Sequence, residues 1–347
     1  MSQQTAQSVL TIDGAHLGRV LERVLGEHSH RPCHMVGLEY RPFASSSSSP
    51  LLEIEANLDN GTCLPLLLKD LRRHSLPNNV QRVRPDFLYD PLREIEVYHS
   101  LLPNRRLGTA LCYGTVVNTA DDRYWLFLEK VSGVELYQIG DFRVWQQVAT
   151  WLGGFHAHLA GEAGPQAVPA RLLAYDSEYY RTWPRRALAF AENGAAGTST
   201  AARSFLEWLA SDYDRVIQRL LNLPVTIIHG EFYASNVLVQ PTGDSLRVCP
   251  VDWETAAVGP GLMDLAALTS GNWSDEQRTC LVRAYQDGLA GAGGHTTESE
   301  ELLTALAYCR LHLAVQWLGW ARGWKPPREH AQDWLGEAQR LVQQIQL

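Results

Sequence analysis

The feature that most restricts what this chain can fold into is a change of hydrophobic period near residues 131–133. Before it, the chain reads mainly as strands, with apolar and polar residues alternating in the clearest of them; after it, apolar residues recur at three- and four-residue spacing. The first period belongs to a pleated strand and the second to an amphipathic helix. Residues 51–58 (Leu-Leu-Glu-Ile-Glu-Ala-Asn-Leu) alternate apolar and polar, as a half-exposed strand does. Asp59-Asn60-Gly61 is a hairpin turn, because Asn-Gly accepts the positive φ such turns require. The chain returns through Cys63 to Lys69, and with residues 34–41 this predicts an antiparallel meander. A short helix carrying Leu17, Val20, Leu21, Val24 and Leu25 precedes it. A helix from Pro91 to Leu102, with Ile95, Tyr98, Leu101 and Leu102 on one side, and strands over 111–117 and 124–131 complete the first part.

From Asp141 the longer period takes over. It predicts helices over 142–159, 200–221 (Phe205, Trp208 and Leu209 inward), 262–268, 276–289, 298–320 and 329–345. A brief β insertion, 225–228 with 237–239 and 246–248, reads as one small sheet, and the Ala/Gly/Ser/Thr stretch 193–202 reads as a loop. The expected fold class is α+β and bilobal. A small antiparallel sheet lobe occupies 1–131 and a larger, mainly helical lobe occupies 132–347, with ligands expected in the cleft between them.

Composition removes other classes. The 347 residues are 45% hydrophobic and 20% charged, with net charge −8, which suits a soluble protein with a real core. No basic stripe marks a nucleic-acid binder. The best membrane candidate, Ala305 to Trp324, is broken by Arg310, His312, Gln316 and Arg322. The N-terminus lacks the basic-then-apolar profile of a signal peptide. None of the six cysteines lies within twenty residues of another, so neither a metal pair nor a disulfide scaffold is expected. A cytoplasmic protein with reduced thiols fits, and its oligomeric state is left open. Lysine occurs only at 69, 130 and 325, so a lysine inside an apolar strand stands out.

The chemistry concentrates between Ile227 and Asp264. His229 and Glu231 leave an apolar strand, Asn236 enters the next, Asp252 follows that strand's hairpin partner, and Asp264 opens a helix. An amide oxygen and a carboxylate on a sheet edge suit Mg²⁺, which takes few protein groups and fills its shell with phosphate and water. The second carboxylate is then free to serve as a general base.

This order of residues resembles the aminoglycoside phosphotransferase and choline kinase family, within the protein-kinase-like superfamily. There a loop of the form His-x-Asp-x4-Asn precedes a metal-binding Asp. The resemblance implies a protein-kinase-like fold over roughly residues 30–270, ATP as co-substrate and Mg²⁺. It implies Glu231 as the catalytic base, Asn236 and Asp252 as metal ligands, and His229 and Asp264 as structural supports of the loop. Lys69 would hold the α- and β-phosphates, with Glu94 paired to it and Glu96 as a rival. The 129–131 segment, with Glu129 and Val131, would meet adenine.

Two positions depart from the family pattern. Glu231 replaces an aspartate, which moves the carboxylate out by about 1.5 Å. The phosphate-covering turn carries serines 45–49, including Ser46 and Ser47, where glycines would let backbone N–H groups approach phosphate closely. Serine offers both N–H and O–H donors, so Ser46 and Ser47 are candidate phosphate contacts; a polar linker is the alternative. Trp317, Trp320 and Trp324 share one helix face, either core or a wall beside an acceptor pocket. Glu298, Glu300 and Glu301 either favour a helix dipole or face a cationic acceptor.

The expected activity is transfer of the γ-phosphoryl group of ATP to a hydroxyl of a small molecule, aminoglycoside-, choline- or amino-alcohol-like. Neither nucleic acid nor membrane is expected as a partner. A catalytically silent nucleotide-binding module acting through protein contact is the alternative, with Glu231 as its supporting feature. A kinase acting on protein is a third reading, weakened by the short span from Asp252 to Asp264.

Overall fold

The alternating segments pair into a five-stranded antiparallel sheet: β1 (Met35–Pro42), β2 (Leu51–Leu58), β3 (Cys63–Asp70), β4 (Cys112–Asn118) and β5 (Arg123–Glu129), ordered β1-β2-β3-β5-β4. The computed structural model describes residues 12–43, 49–76, 81, 84–103, 107–163, 170–192, 199–243, 245–295, 297–320 and 330–347. Ser46, Ser47, Trp324 and residues 193–198 lie outside the described residues. The chain divides into two compact units, Met1–Ser132 and Gly133–Leu347.

In the first unit, α1 (Gly14–Ser29) starts where Asp13 accepts hydrogen bonds from the Ala15 and His16 N–H groups. Its stripe of Leu17, Leu21 and Val24 buries against Leu52, Ile54, Leu66, Leu68 and Phe127 of the sheet. Gly61 takes the positive φ of 83° that the β2–β3 turn requires. Strand β2 is less exposed than its alternation suggests. Glu53 is buried there because Arg41, at 3.0 Å, and Lys130 both pair with its carboxylate.

The helix expected over 91–102 is not a regular α-helix. A short α2 (Arg93–Glu96) passes into a π turn, Val97–Leu101, closed by the Leu102 N–H on the Val97 carbonyl at 3.0 Å. The wider turn lets the adjacent Val97 and Tyr98, and then Leu102, all face inward. Such π turns are rare and concentrate near functional sites.

The second unit is mainly helical. Its elements are β6 (Val134–Glu135), α3 (Phe142–Leu159), β7 (Leu173–Ala174), α4 (Ser177–Glu192), α5 (Thr200–Leu221), β8 (Val225–Ile228), β9 (Val237–Thr242), β10 (Ser245–Pro250), β11 (Ala257–Pro260), α6 (Leu262–Leu268), α7 (Asp275–Gly291), α8 (Ser299–Leu318) and α9 (Trp334–Ile345). Helices α3 and α7 pack backbone to backbone. A Cβ on Gly288 would stand 1.9 Å from the Thr150 carbonyl oxygen, so only glycine fits there.

Three sequence expectations are corrected here. The β insertion builds two three-stranded sheets, β10-β9-β6 and β7-β11-β8, because two-residue strands from elsewhere in the chain complete each one. Helix α5 turns Trp208 outward, 40% exposed, and buries Leu206 beside Leu209 in its place. Helix α9 begins at Trp334, later than residue 329, where Asp333 accepts from the Gly336 N–H. Helix α4 went unforeseen because Pro184 sits inside it, and proline lacks the N–H that a helix interior uses.

His312 on α8 is fully buried, its Nδ1 2.9 Å from the Tyr213 hydroxyl. Burial pushes its pKa down to about 3. The unfolded chain therefore takes up a proton near pH 6.5 that the folded chain refuses. Stability from this group is complete above pH 6.5 and is lost as pH falls toward 3. Urea unfolding from pH 7 to 4 should show a shallower acid loss in His312→Gln than in the parent; equal slopes would refute this account.

Among the described residues, no helix is long and apolar enough to cross a membrane. None of the six cysteines forms a disulfide.

Candidate active site

In the first unit the key group is Lys69, near the end of β3, where the sheet pairs it with Leu51 and Leu126. Its Nζ lies 2.6 Å from Oε2 of Glu94, and both side chains are almost wholly buried. Of the two acids on α2 it is Glu94, not Glu96, that takes the lysine. Taking two charges out of water offsets most of their mutual attraction, so such a pair is weakly stabilising by itself. Arg93 is buried too and donates to the Leu88 carbonyl at 2.8 Å, which fixes the start of α2. At the end of β5, the Glu129 carboxylate accepts the Leu111 N–H at 3.0 Å. Val131 lies beyond the strand.

In the second unit the loop after β8 is held from beneath by one carboxylate. Asp264, fully buried on α6, accepts the His229 N–H at 2.7 Å and the Gly230 N–H at 2.9 Å. Gly230 has φ +84°, and a Cβ there would meet the Thr255 carbonyl oxygen at 2.4 Å. Any side chain at 230 therefore displaces the loop.

His229 closes the other side. Its Nε2 donates to the Val251 carbonyl at 2.9 Å, and its Nδ1 accepts the Glu231 N–H at 3.3 Å. Both ring nitrogens are thus committed to backbone groups, and the imidazole braces the loop. The Val251 N–H donates in turn to the Asn236 carbonyl at 2.9 Å. One residue, Val251, therefore joins β8's exit to the mouth of the β9–β10 hairpin and sets Asn236 beside Asp252.

The Asn236 amide nitrogen donates to the Glu231 carbonyl at 3.0 Å. That leaves Oδ1 as the side-chain atom that could hold a metal. Asp252 follows, in the left-handed region at φ 69° and ψ 63°. Non-glycine residues held there store about 1–3 kcal/mol of strain, which commonly marks a functional position. One amide oxygen and one carboxylate form the hard, sparse donor set that Mg²⁺ accepts. Among the described residues, no group of three His, Cys, Asp or Glu offers a denser metal site.

The family described as the phosphotransferase enzyme family matches residues 92–302, more than half of the chain. The chain belongs to the phosphotransferase enzyme family. Solved structures agree on the fold. A choline kinase from Cryptosporidium parvum Iowa II superposes with TM-score 0.59 at 13% identity, over 96% of this chain and 94% of that one. A microcompartment-associated aminopropanol kinase gives TM-score 0.58 at 15% identity, over 89% and 92%. A GDP complex of an aminoglycoside 2′-phosphotransferase-IIIa mutant gives 0.57 at 12%, over 95% and 97%. No curated protein matches the chain by sequence.

This phosphotransferase-family chain also uses residues that its sequence did not disclose. His156 on α3 is 2% exposed, with Nε2 3.2 Å from Asp264 Oδ2 and Nδ1 3.0 Å from the Tyr285 hydroxyl. It steadies the carboxylate that steadies the loop. Its signal lay in the α3 stripe of Leu152, Phe155, His156 and Leu159, where a histidine occupies a core position. Trp317 and Trp320 are half-buried rather than core. Trp317 donates from Nε1 to the Tyr233 hydroxyl at 2.9 Å, and Trp320 stacks on Trp183. Glu298, Glu300 and Glu301 are exposed around the α8 N-terminus, as acids favouring a helix dipole are.

Proposed function

We propose that the protein is an ATP-dependent phosphotransferase acting on a hydroxyl of a small molecule. The observation that carries the reading is the hydrogen-bonded loop that sets Glu231, Asn236 and Asp252 together in a chain of this family. Family membership favours this over a silent nucleotide-binding module.

Glu231 accepts the proton of the acceptor hydroxyl as that oxygen attacks the γ-phosphorus, and ADP leaves. Asn236 and Asp252 hold Mg²⁺, which when bound neutralises charge on the phosphates. Lys69, oriented by Glu94, holds the α- and β-phosphates. The Val131 backbone and the neighbouring Glu129 segment meet adenine. His229 and Asp264 hold the loop in place, so that catalysis rests on positioning and charge stabilisation. The solved relatives named for choline, aminopropanol and an aminoglycoside make amino alcohols and aminoglycosides the first acceptors to try, and the net charge of −8 is compatible with a cationic acceptor. A kinase of this kind belongs in the cytoplasm, where ATP is abundant.

The test is ADP release with Mg²⁺ and ATP across amino alcohols, sugars and aminoglycosides, with nucleotide binding followed by thermal shift. One acceptor should stimulate turnover well above the background without acceptor. ATP binding with no acceptor stimulating turnover would favour the silent module.

A further inference from the structure

We infer that the chain after residue 302 acts as a positioning clamp on the catalytic loop, with Trp317 and His330 fixing the spacing of Glu231 and Asn236 through Tyr233 and Ser235. The inference rests on the proposed function. These residues fall outside the region matched by the family, 92–302.

Tyr233 is the hub of the loop. Its N–H donates to the Glu231 carbonyl at 2.7 Å, and its own carbonyl accepts the Asn236 N–H at 2.8 Å. Whatever holds Tyr233 therefore holds both the base and the metal ligand. Its ring is buried, 6% exposed, and is gripped from the C-terminal part of the chain. The Trp317 indole N–H donates to the hydroxyl at 2.9 Å, with the rings 5.6 Å apart at 60°. The His330 ring lies 4.5 Å from Tyr233, and its Nε2 is 3.3 Å from Ser235 Oγ. Trp334 at the start of α9 stacks on Trp317 at 5.2 Å and 8°, backing the clamp. Burial, and then the nearby Glu231 carboxylate, push the Tyr233 phenol well above the usual tyrosine range. The hydroxyl thus keeps its proton and stays a fixed neutral anchor.

Simple core packing would need the rings but not the indole-to-phenol hydrogen bond. Tyr233→Phe and Trp317→Phe each keep an aromatic ring and remove that bond. Loosening a reacting group by a fraction of an ångström should lower kcat about tenfold in each single variant. The double variant should fall no further, because both lose the same bond. KM for ATP should stay within about twofold, since no nucleotide contact is altered. Amide hydrogen exchange over residues 231–236 should rise in all three variants, and also in His330→Ala, which removes the Ser235 contact by a separate route. Unchanged exchange at 231–236 would overturn the clamp, as would single-variant losses in kcat that multiply in the double. If the parent transfers no phosphate, the functional reading falls, and exchange at the loop alone decides the clamp.

Discussion

Glu231→Ala is expected to lower kcat about 10²–10⁴-fold, the contribution of a positioned general base, while leaving ATP binding intact. The variant is a clean one because the loop grips residue 231 by its backbone. His229 Nδ1 takes its N–H, and the Tyr233 N–H and the Asn236 amide take its carbonyl. Those bonds survive the loss of the side chain, so neither Asn236 nor Asp252 should move. Glu231→Asp is the sharper comparison. Shortening the side chain withdraws the carboxylate by about 1.5 Å. In a site built around glutamate, a shift of that size costs about a hundredfold in rate. Steady-state kinetics with the best acceptor, beside nucleotide titration, reads both variants. Full activity in Glu231→Ala would remove Glu231 from the chemistry. An aspartate variant faster than the parent would show a pocket shaped for the shorter acid and a kinase that has lapsed.

The second large effect is expected at Lys69, proposed above to hold the α- and β-phosphates. Lys69→Met leaves Glu94 buried without its lysine, and breaking one side of a buried pair costs about 3–5 kcal/mol. Replacing both, as Lys69→Met with Glu94→Leu, removes the stranded charge and should recover most of that stability, because a buried pair and an apolar substitute are close in energy. Neither variant should recover phosphate binding, so ATP affinity stays low in both. Urea unfolding and nucleotide titration separate the two roles. Equal destabilisation of the single and double variants would refute the stability argument. A double variant that binds ATP like the parent would remove Lys69 from the phosphate site.

What was legible in the sequence is what is local. His229, Glu231 and Asn236 sit within one loop, and Asp252 is fixed to them by a tight hairpin, so their spacing already carries their proximity. The sheet of the first unit was legible because its strands are long apolar or alternating runs, β2 and β3 being joined by an Asn-Gly turn. The two small sheets were not. Val134–Glu135 and Leu173–Ala174 are each too short to show any period, and their partners lie far along the chain. His156 was hidden for a related reason: Asp264 is 108 positions away, and nothing near His156 marks the partner. Trp208 misled because an apolar residue beside a helix's buried stripe has the right type for the core but the wrong angle.

Glu231 leaves the sheet containing β8, whereas Asn236 and Asp252 flank the hairpin of the other sheet. The proposed reacting centre is in this sense a joint between two plates, pinned by Val251 and padded by Trp253 against the His229 ring at 4.5 Å. On the proposed roles, a slight tilt of one plate would shorten or lengthen the gap between Glu231 and the pair Asn236 and Asp252 without altering any of the three. Turnover in this chain is therefore open to adjustment from the padding. Natural variation around Trp253 and Phe155 could retune the enzyme for a bulkier or slimmer acceptor while every reacting residue stays as it is.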